Sequence, residues 1–196
     1  MEAFSDGVIA VAITLLALNL AVDGPGHGPL AQQLGQRWPV FVAYLVSFFT
    51  VGIIWVNHHA LVDDIARVDR TMLFINLGLL CFIVAIPFGT ALMATYLTVR
   101  GFDASLAMAI YCAILEGMSV GFGVLFWWTL GDGRRHNPIP PGNRWRVWVR
   151  FTMGGAGYVL ALVVGFISAP LALAVVGLIA VYYIFERTPS AYPTRQ

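Results

Sequence analysis

Long apolar runs separated by short polar connectors make up almost the whole chain. The runs cover 7–22, 38–56, 72–99, 104–131 and 147–185. Each approaches or exceeds the roughly 20 residues that cross a bilayer as a helix rising about 1.5 Å per residue. The last run, 39 residues long, contains Ser168-Ala169-Pro170. A mid-run proline ends or kinks a helix and biases the residue before it away from helical geometry. Splitting there gives 147–168 and 170–186. The pattern therefore predicts an all-α polytopic membrane protein with six transmembrane helices, one unit over 1–196, and little left for a soluble domain.

The connectors differ in kind. DGPGHGPLAQQLGQRW opens with turn formers and can finish as a short amphipathic turn. ALVDDIARVDR interleaves apolar residues with acids and arginine, and is expected to continue the helix that runs from about Trp38 to His59. GDGRRHNPIPPGNRWR, rich in turn residues and positive charge, reads as a loop. RTPSAYPTRQ is a short tail. Pro87 is expected near the outer end of the third span.

Composition agrees: 59% of residues are hydrophobic and 11% charged, where soluble domains carry about 25% charged residues. Mean hydropathy is +0.81. A net charge of +1 offers no basic stripe for nucleic acid. The distribution of charge says more than its sum. All eleven basic residues are arginine. With the N-terminus inside, nine (67, 70, 134, 135, 144, 146, 150, 187 and 195) fall in inner segments, and Arg37 and Arg100 fall outside. That is the positive-inside bias, and it places both termini in the cytoplasm. A secretory leader is not indicated, since the first run lacks a basic n-region and a small-x-small cleavage site.

From the soluble catalytic repertoire, neither a GxxxxGK[ST] nor an HExxH motif occurs. Cys81 and Cys112 lie in apolar runs without CxxC spacing and read as buried small residues. His58 and His59 point about 100° apart on a helix and cannot chelate one metal from one face. No enzyme, cofactor or metal-ligand set is legible. The polar residues at the span edges carry more information, because ionisable groups near lipid turn toward protein or water. Ser5, Asp6, Asn57, His58, Asp63, Asp64, Arg67, Asp69 and Arg70 all fall near the inner boundary. Ser5 or Asp6 can cap the first helix, and Asp63, Asp64 and Arg67 read first as a solvated loop. Glu116 lies deep in the fourth span, either as a hydrogen-bonded structural acid or beside a water-filled route.

In the first span Val11, Leu15, Leu18 and Val22 recur at four, three and four and share a face. Ala10, Ala17 and Ala21 allow close helix approach on other faces, and Thr14 sets a hydroxyl beside the stripe. Periodicity leaves two readings open. The stripe packs on a partner helix, or several copies meet on an axis as a hydrophobic constriction that gates by dewetting.

The order of motifs resembles a known family. FSDGVIAVAITLLALNL, then WVNHH, then VDRTMLFINLGLLCFIVAIPFGT is similar to the bacterial branch of the endosomal–lysosomal potassium channel family, whose hallmark is Phe-Ser-Asp in the first helix. The match rests on Phe4-Ser5-Asp6, on Trp55 and His58 at W-x-x-H spacing, and on Asp69-Arg70, Asn76 and Pro87-Phe88-x-Thr90. The resemblance implies a passive potassium-permeable cation channel in the bacterial inner membrane. It implies a homotetramer with the route on the fourfold axis, lined by the first helix, and without a TVGYG-type filter. The constriction would fall on Val11, Leu15 and Leu18, and Thr14 could help coordinate potassium or another monovalent cation. Phe4, Ser5 and Asp6 would pack at the inner end against Trp55, His58 and Asp69. Two departures stand out: the basic residue the family places four positions before the Phe would fall ahead of Met1, and Val11 is smaller than the isoleucine often found there. The rival expectation is a proton- or cation-coupled secondary transporter with a route inside each subunit, in which Glu116 or Asp6 titrates.

Overall fold

The computed structural model describes residues 1–185; the tail with Arg187 and Arg195 lies outside the described residues. Seven α-helices follow in order among them: α1 (Glu2–Leu16, extended by a 3-10 turn over Ala17–Asn19), α2 (Leu30–Gln36), α3 (Trp38–Asp63), α4 (Arg70–Tyr96), α5 (Phe102–Thr129), α6 (Pro141–Gly165) and α7 (Ala169–Phe185). Five segments are long and apolar enough to cross a membrane: 2–19, α3, α4, α5 and α6. The apolar α7, 17 residues long, reaches roughly 25 Å, short of the roughly 30 Å hydrocarbon core. The chain is thus an all-helical, multi-pass membrane protein.

Helix boundaries depart from the apolar pattern where turn chemistry outweighs it. α6 begins at Pro141, inside the stretch expected to be a loop. Proline at the first helical position lacks only an N–H that would have been unpaired there, so Pro140-Pro141 marks a start. α4 runs straight through Pro87, which bilayer helices tolerate when neighbours satisfy the freed backbone. The first connector folds as expected into loop and short helix. Gly24, Gly26 and Gly28 take positive φ, and the buried Gln33 of α2 bonds both the N–H and C=O of Gly24 and the C=O of Gly28 at 2.9–3.1 Å. Arg37 pairs with Asp23 at 2.7 Å, closing that loop.

Successive helices α4, α5, α6 and α7 pack side by side, while α1 lies against α3 and α4. The centre holds a polar triad as well as apolar side chains. Thr90 Oγ1 lies 2.8 Å from both Ser47 Oγ and the Ile86 carbonyl, and Ser47 Oγ is 2.9 Å from the hydroxyl of the fully buried Tyr111. Three helices are thereby fixed in register by buried groups that satisfy one another. At the arginine-rich end, Trp127, Trp145 and Trp148 pack ring to ring, the amphipathic clustering found where helices leave lipid.

That same end is closed by a buried clasp. Asp64, expected in a solvated loop, is 5% exposed and forms an ion pair with Arg135, whose side chain is 2% exposed. Asp64 Oδ1 also accepts from the backbone and side-chain nitrogens of Asn137 at 3.1 and 2.8 Å. Its carbonyl accepts from His136 N, and Ala66 N donates to the Arg134 carbonyl, both at 2.9 Å. Arg135 donates further to Thr129 Oγ1. Asp63 and Arg67, by contrast, are exposed as expected. Nearby, the hydrogen bond from Arg144 and its charge hold the exposed Asp132 carboxyl below the usual carboxylate range.

Candidate functional site

α1 has two faces with opposite fates. Ser5, Ile9, Ala12 and Leu16 are buried against α3 and α4. Phe4, Val11, Leu15 and Leu18 stand 58, 56, 37 and 74% exposed on another side. At about 100° per residue these four fall within roughly 60° of one another and centre about 120° from the buried row. A continuous, partly exposed apolar stripe thus runs most of the length of α1. Thr14 lies beside it, and its hydroxyl donates to the Val11 carbonyl at 2.8 Å. With its proton so engaged, the Thr14 oxygen presents only lone pairs to its surroundings.

The N-terminal end of α1 is held by polar side chains from two other helices. Asn76 of α4 is the hub: its Nδ2 donates to Ser5 Oγ at 2.9 Å, and its Oδ1 lies 2.7 Å from His58 Nε2. With the amide so oriented, His58 carries its proton on Nε2. All three residues are buried, at 0, 1 and 2% exposure for Ser5, His58 and Asn76. A step outward, Trp55 Nε1 donates to Asp6 Oδ1 at 2.9 Å. His59 Nδ1 faces Glu2 at 3.2 Å and the other Asp6 oxygen at 3.8 Å.

Ser5, Asp6, Trp55 and His58 therefore come together, and two expected members do not join them. Phe4 points away along the exposed stripe. Asp69 caps α4 by accepting from Met72 N at 2.8 Å, so its carboxylate serves its own helix. Neither Ser5 nor Asp6 caps α1: the helix begins at Glu2, whose acid occupies the electropositive first turn. Asn76, part of the motif string in α4, is the member that joins the two other helices. An amide at the edge of an apolar span needs partners, and that was the signal for it.

A second feature lies within the subunit, in mainly apolar surroundings that include Ile53, Ile54, Phe122 and Phe151. A narrow cavity between α3, α5, α6 and α7 is lined by Thr50, Asn57, Ser119, Gly154, Tyr158 and Tyr183, among others. Glu116 sits next to it across Gly155, where a Cβ would come within 3.2 Å of its Oε1 and 3.1 Å of Ser119 Oγ. The Oε2 of Glu116 is buried and finds no hydrogen-bond partner among the described residues.

Residues 1–87, which hold α1, α3 and most of α4, match the family model described as endosomal/lysosomal potassium channel TMEM175. A Streptomyces collinus protein named a potassium channel is 44% identical over 203 residues, spanning 100% of this chain and 95% of its own. The Bos taurus protein named endosomal/lysosomal proton channel TMEM175 is 34% identical over 149 residues, 70% of this chain and 31% of its own length. The fold superimposes with a TM-score of 0.81 on a crystal structure described as a lysosomal potassium-selective channel TMEM175 homolog from Chamaesiphon minutus. That protein is 32% identical, and the match covers 97% of this chain and 96% of the other. Full-length identity, a shared fold and an N-terminal match over the motif-bearing helices agree, and the chain belongs to the TMEM175 family of ion channels.

Proposed function

We propose that this protein is a passive potassium-permeable cation channel of the bacterial inner membrane, with both termini cytoplasmic. Four copies assemble around an axis lined by α1. One observation supports the reading: the apolar stripe of Phe4, Val11, Leu15 and Leu18 is left largely exposed by its own chain, on a helix whose other row is buried. The names of the full-length relative and of the matched crystal structure agree with it.

In this reading Val11, Leu15 and Leu18 form stacked apolar rings. Such rings admit an ion only as it sheds part of its water, so a narrow ring resists conduction by dewetting. Potassium, larger and less tightly hydrated than sodium, crosses at lower cost. Thr14, whose oxygen is free to accept, supplies partial coordination beside the ring. The Ser5–Asn76–His58 cluster does not touch the ion; it fixes the position and tilt of the helix that does. The test is purified protein in potassium-loaded liposomes with no co-substrate. Electrogenic potassium efflux is expected, and its absence from correctly folded, assembled protein would sink the proposal.

A carrier reading draws on the cavity beside Glu116, whose unpartnered oxygen lies within the subunit. The two readings part at one substitution. A channel lined by α1 keeps its potassium flux when Glu116 is replaced by Gln, within about twofold. A carrier that titrates Glu116 loses coupled transport, usually by a factor of about 10² or more for an essential proton-transfer group.

A further inference from the structure

We infer that Glu2, Asp6 and His59 form a binding site for a borderline divalent metal ion such as Zn2+ at the inner end of α1. Glu2 and Asp6 stand four residues apart on one face of α1, and His59 reaches them from α3. One ligand atom from each lies within 4.8 Å of the other two. The His59 Nδ1 distances to the Glu2 and Asp6 oxygens are 3.2 and 3.8 Å. Zinc bound at about 2.0–2.1 Å to nitrogen and about 2.0–2.2 Å to oxygen sets its tetrahedral ligands roughly 3.4 Å apart. The two His59 distances thus stand near coordination spacing, and the two carboxylate oxygens lie within 4.8 Å of each other.

The alternative occupant of this space is a proton on His59, and it serves the site less well. A single Nδ1–H can bond one carboxylate at full strength, which leaves the second facing the first at short range. A dication neutralises both acids and takes the imidazole lone pair at once. The site also has an orienting partner of the kind metal ligands need: Trp55 Nε1 holds the Asp6 oxygen that faces away from His59, leaving the other for the metal. One nitrogen and two carboxylates with an open fourth position suit zinc, nickel or copper. Calcium and magnesium prefer six or more oxygens. The adjacent His58 takes no part, because its Nε2 is committed to Asn76.

The experiment is calorimetric titration of ZnCl2 into the untagged full-length protein in detergent, with thermal unfolding as a parallel readout. The expected result is one zinc per chain and an upward shift in Tm, with no response to Mg2+. Affinity should fall at least tenfold in His59→Ala and again in Glu2→Gln, and stay unchanged in His27→Ala and His136→Ala. No zinc binding by the parent protein would overturn the inference. So would binding that survives both His59→Ala and Glu2→Gln, or that is lost in His27→Ala or His136→Ala. Binding is read without ion flux, so the outcome is independent of the channel proposal.

Discussion

Arg135→Ala should cost about 3–5 kcal/mol, the range for removing one partner from a buried ion pair and stranding the other. Against a total stability of about 5–15 kcal/mol, this is the largest single loss expected in the molecule. The pair joins the connector after α3 to the connector after α5, and Asp64 accepts simultaneously from Arg135 and from both nitrogens of Asn137. Without the guanidinium the Asp64 carboxylate keeps neutral donors but loses its counter-charge in a site 5% exposed. Thermal unfolding in detergent should show a large fall in Tm. The double replacement Asp64→Leu with Arg135→Met, which leaves no orphan charge, should be milder than Arg135→Ala alone. If the double variant is the worse of the two, the pair contributes more than mutual neutralisation.

Asn76→Ala should rank next, and its consequences reach function. The substitution strands the Ser5 hydroxyl and the His58 Nε2–H together, in a site where all three residues are at most 2% exposed. Leaving a buried polar group unpaired costs about 1–3 kcal/mol, and here two are left. Ser5→Ala removes one end of the chain and leaves the Asn76–His58 bond intact, so it should cost clearly less. Because the cluster anchors α1 to α3 and α4, displacement of α1 follows from its loss. A shift of 1.4 kcal/mol in that equilibrium changes the correctly placed population about tenfold. Potassium flux per reconstituted protein should therefore fall by about tenfold or more in Asn76→Ala, with a lesser fall in Ser5→Ala. Equal effects of the two would remove Asn76 from its place as hub.

The membrane character and the helical order of this protein were legible in the apolar pattern, because a bilayer demands long uninterrupted runs. The ends of the helices were not. Glu2-Ala3-Phe4 has no apolar period, so the apolar pattern starts the span only at residue 7, and the cap that Ser5 or Asp6 could supply does not form because the helix already begins at Glu2. Pro140-Pro141-Gly142 looked like a turn because the same residues that break helices also begin them. The apolar stripe of α1 is visible as spacing, but whether it is covered depends on where α3 and α4 pack, and periodicity does not contain that. The Asp64–Arg135 pair was beyond reach for a related reason. Its members are separated by two whole helices, and an aspartate in a polar connector carries no mark of burial. Asp69 was drawn toward the inner-end cluster by its neighbours in the motif, yet its local geometry as an N-cap governs where its carboxylate goes.

In the proposed channel ions pass along the exposed apolar face of α1, with Leu15 at the bottleneck. Leu15 is 37% exposed in the protomer, so shortening it leaves the folded subunit largely undisturbed. The most direct test compares potassium and sodium flux through wild-type protein and Leu15→Ala in liposomes at matched assembled protein. A wider ring should raise total cation flux or lower the potassium-to-sodium ratio, or both. Unchanged flux and unchanged ion preference would contradict the account and move the route off α1.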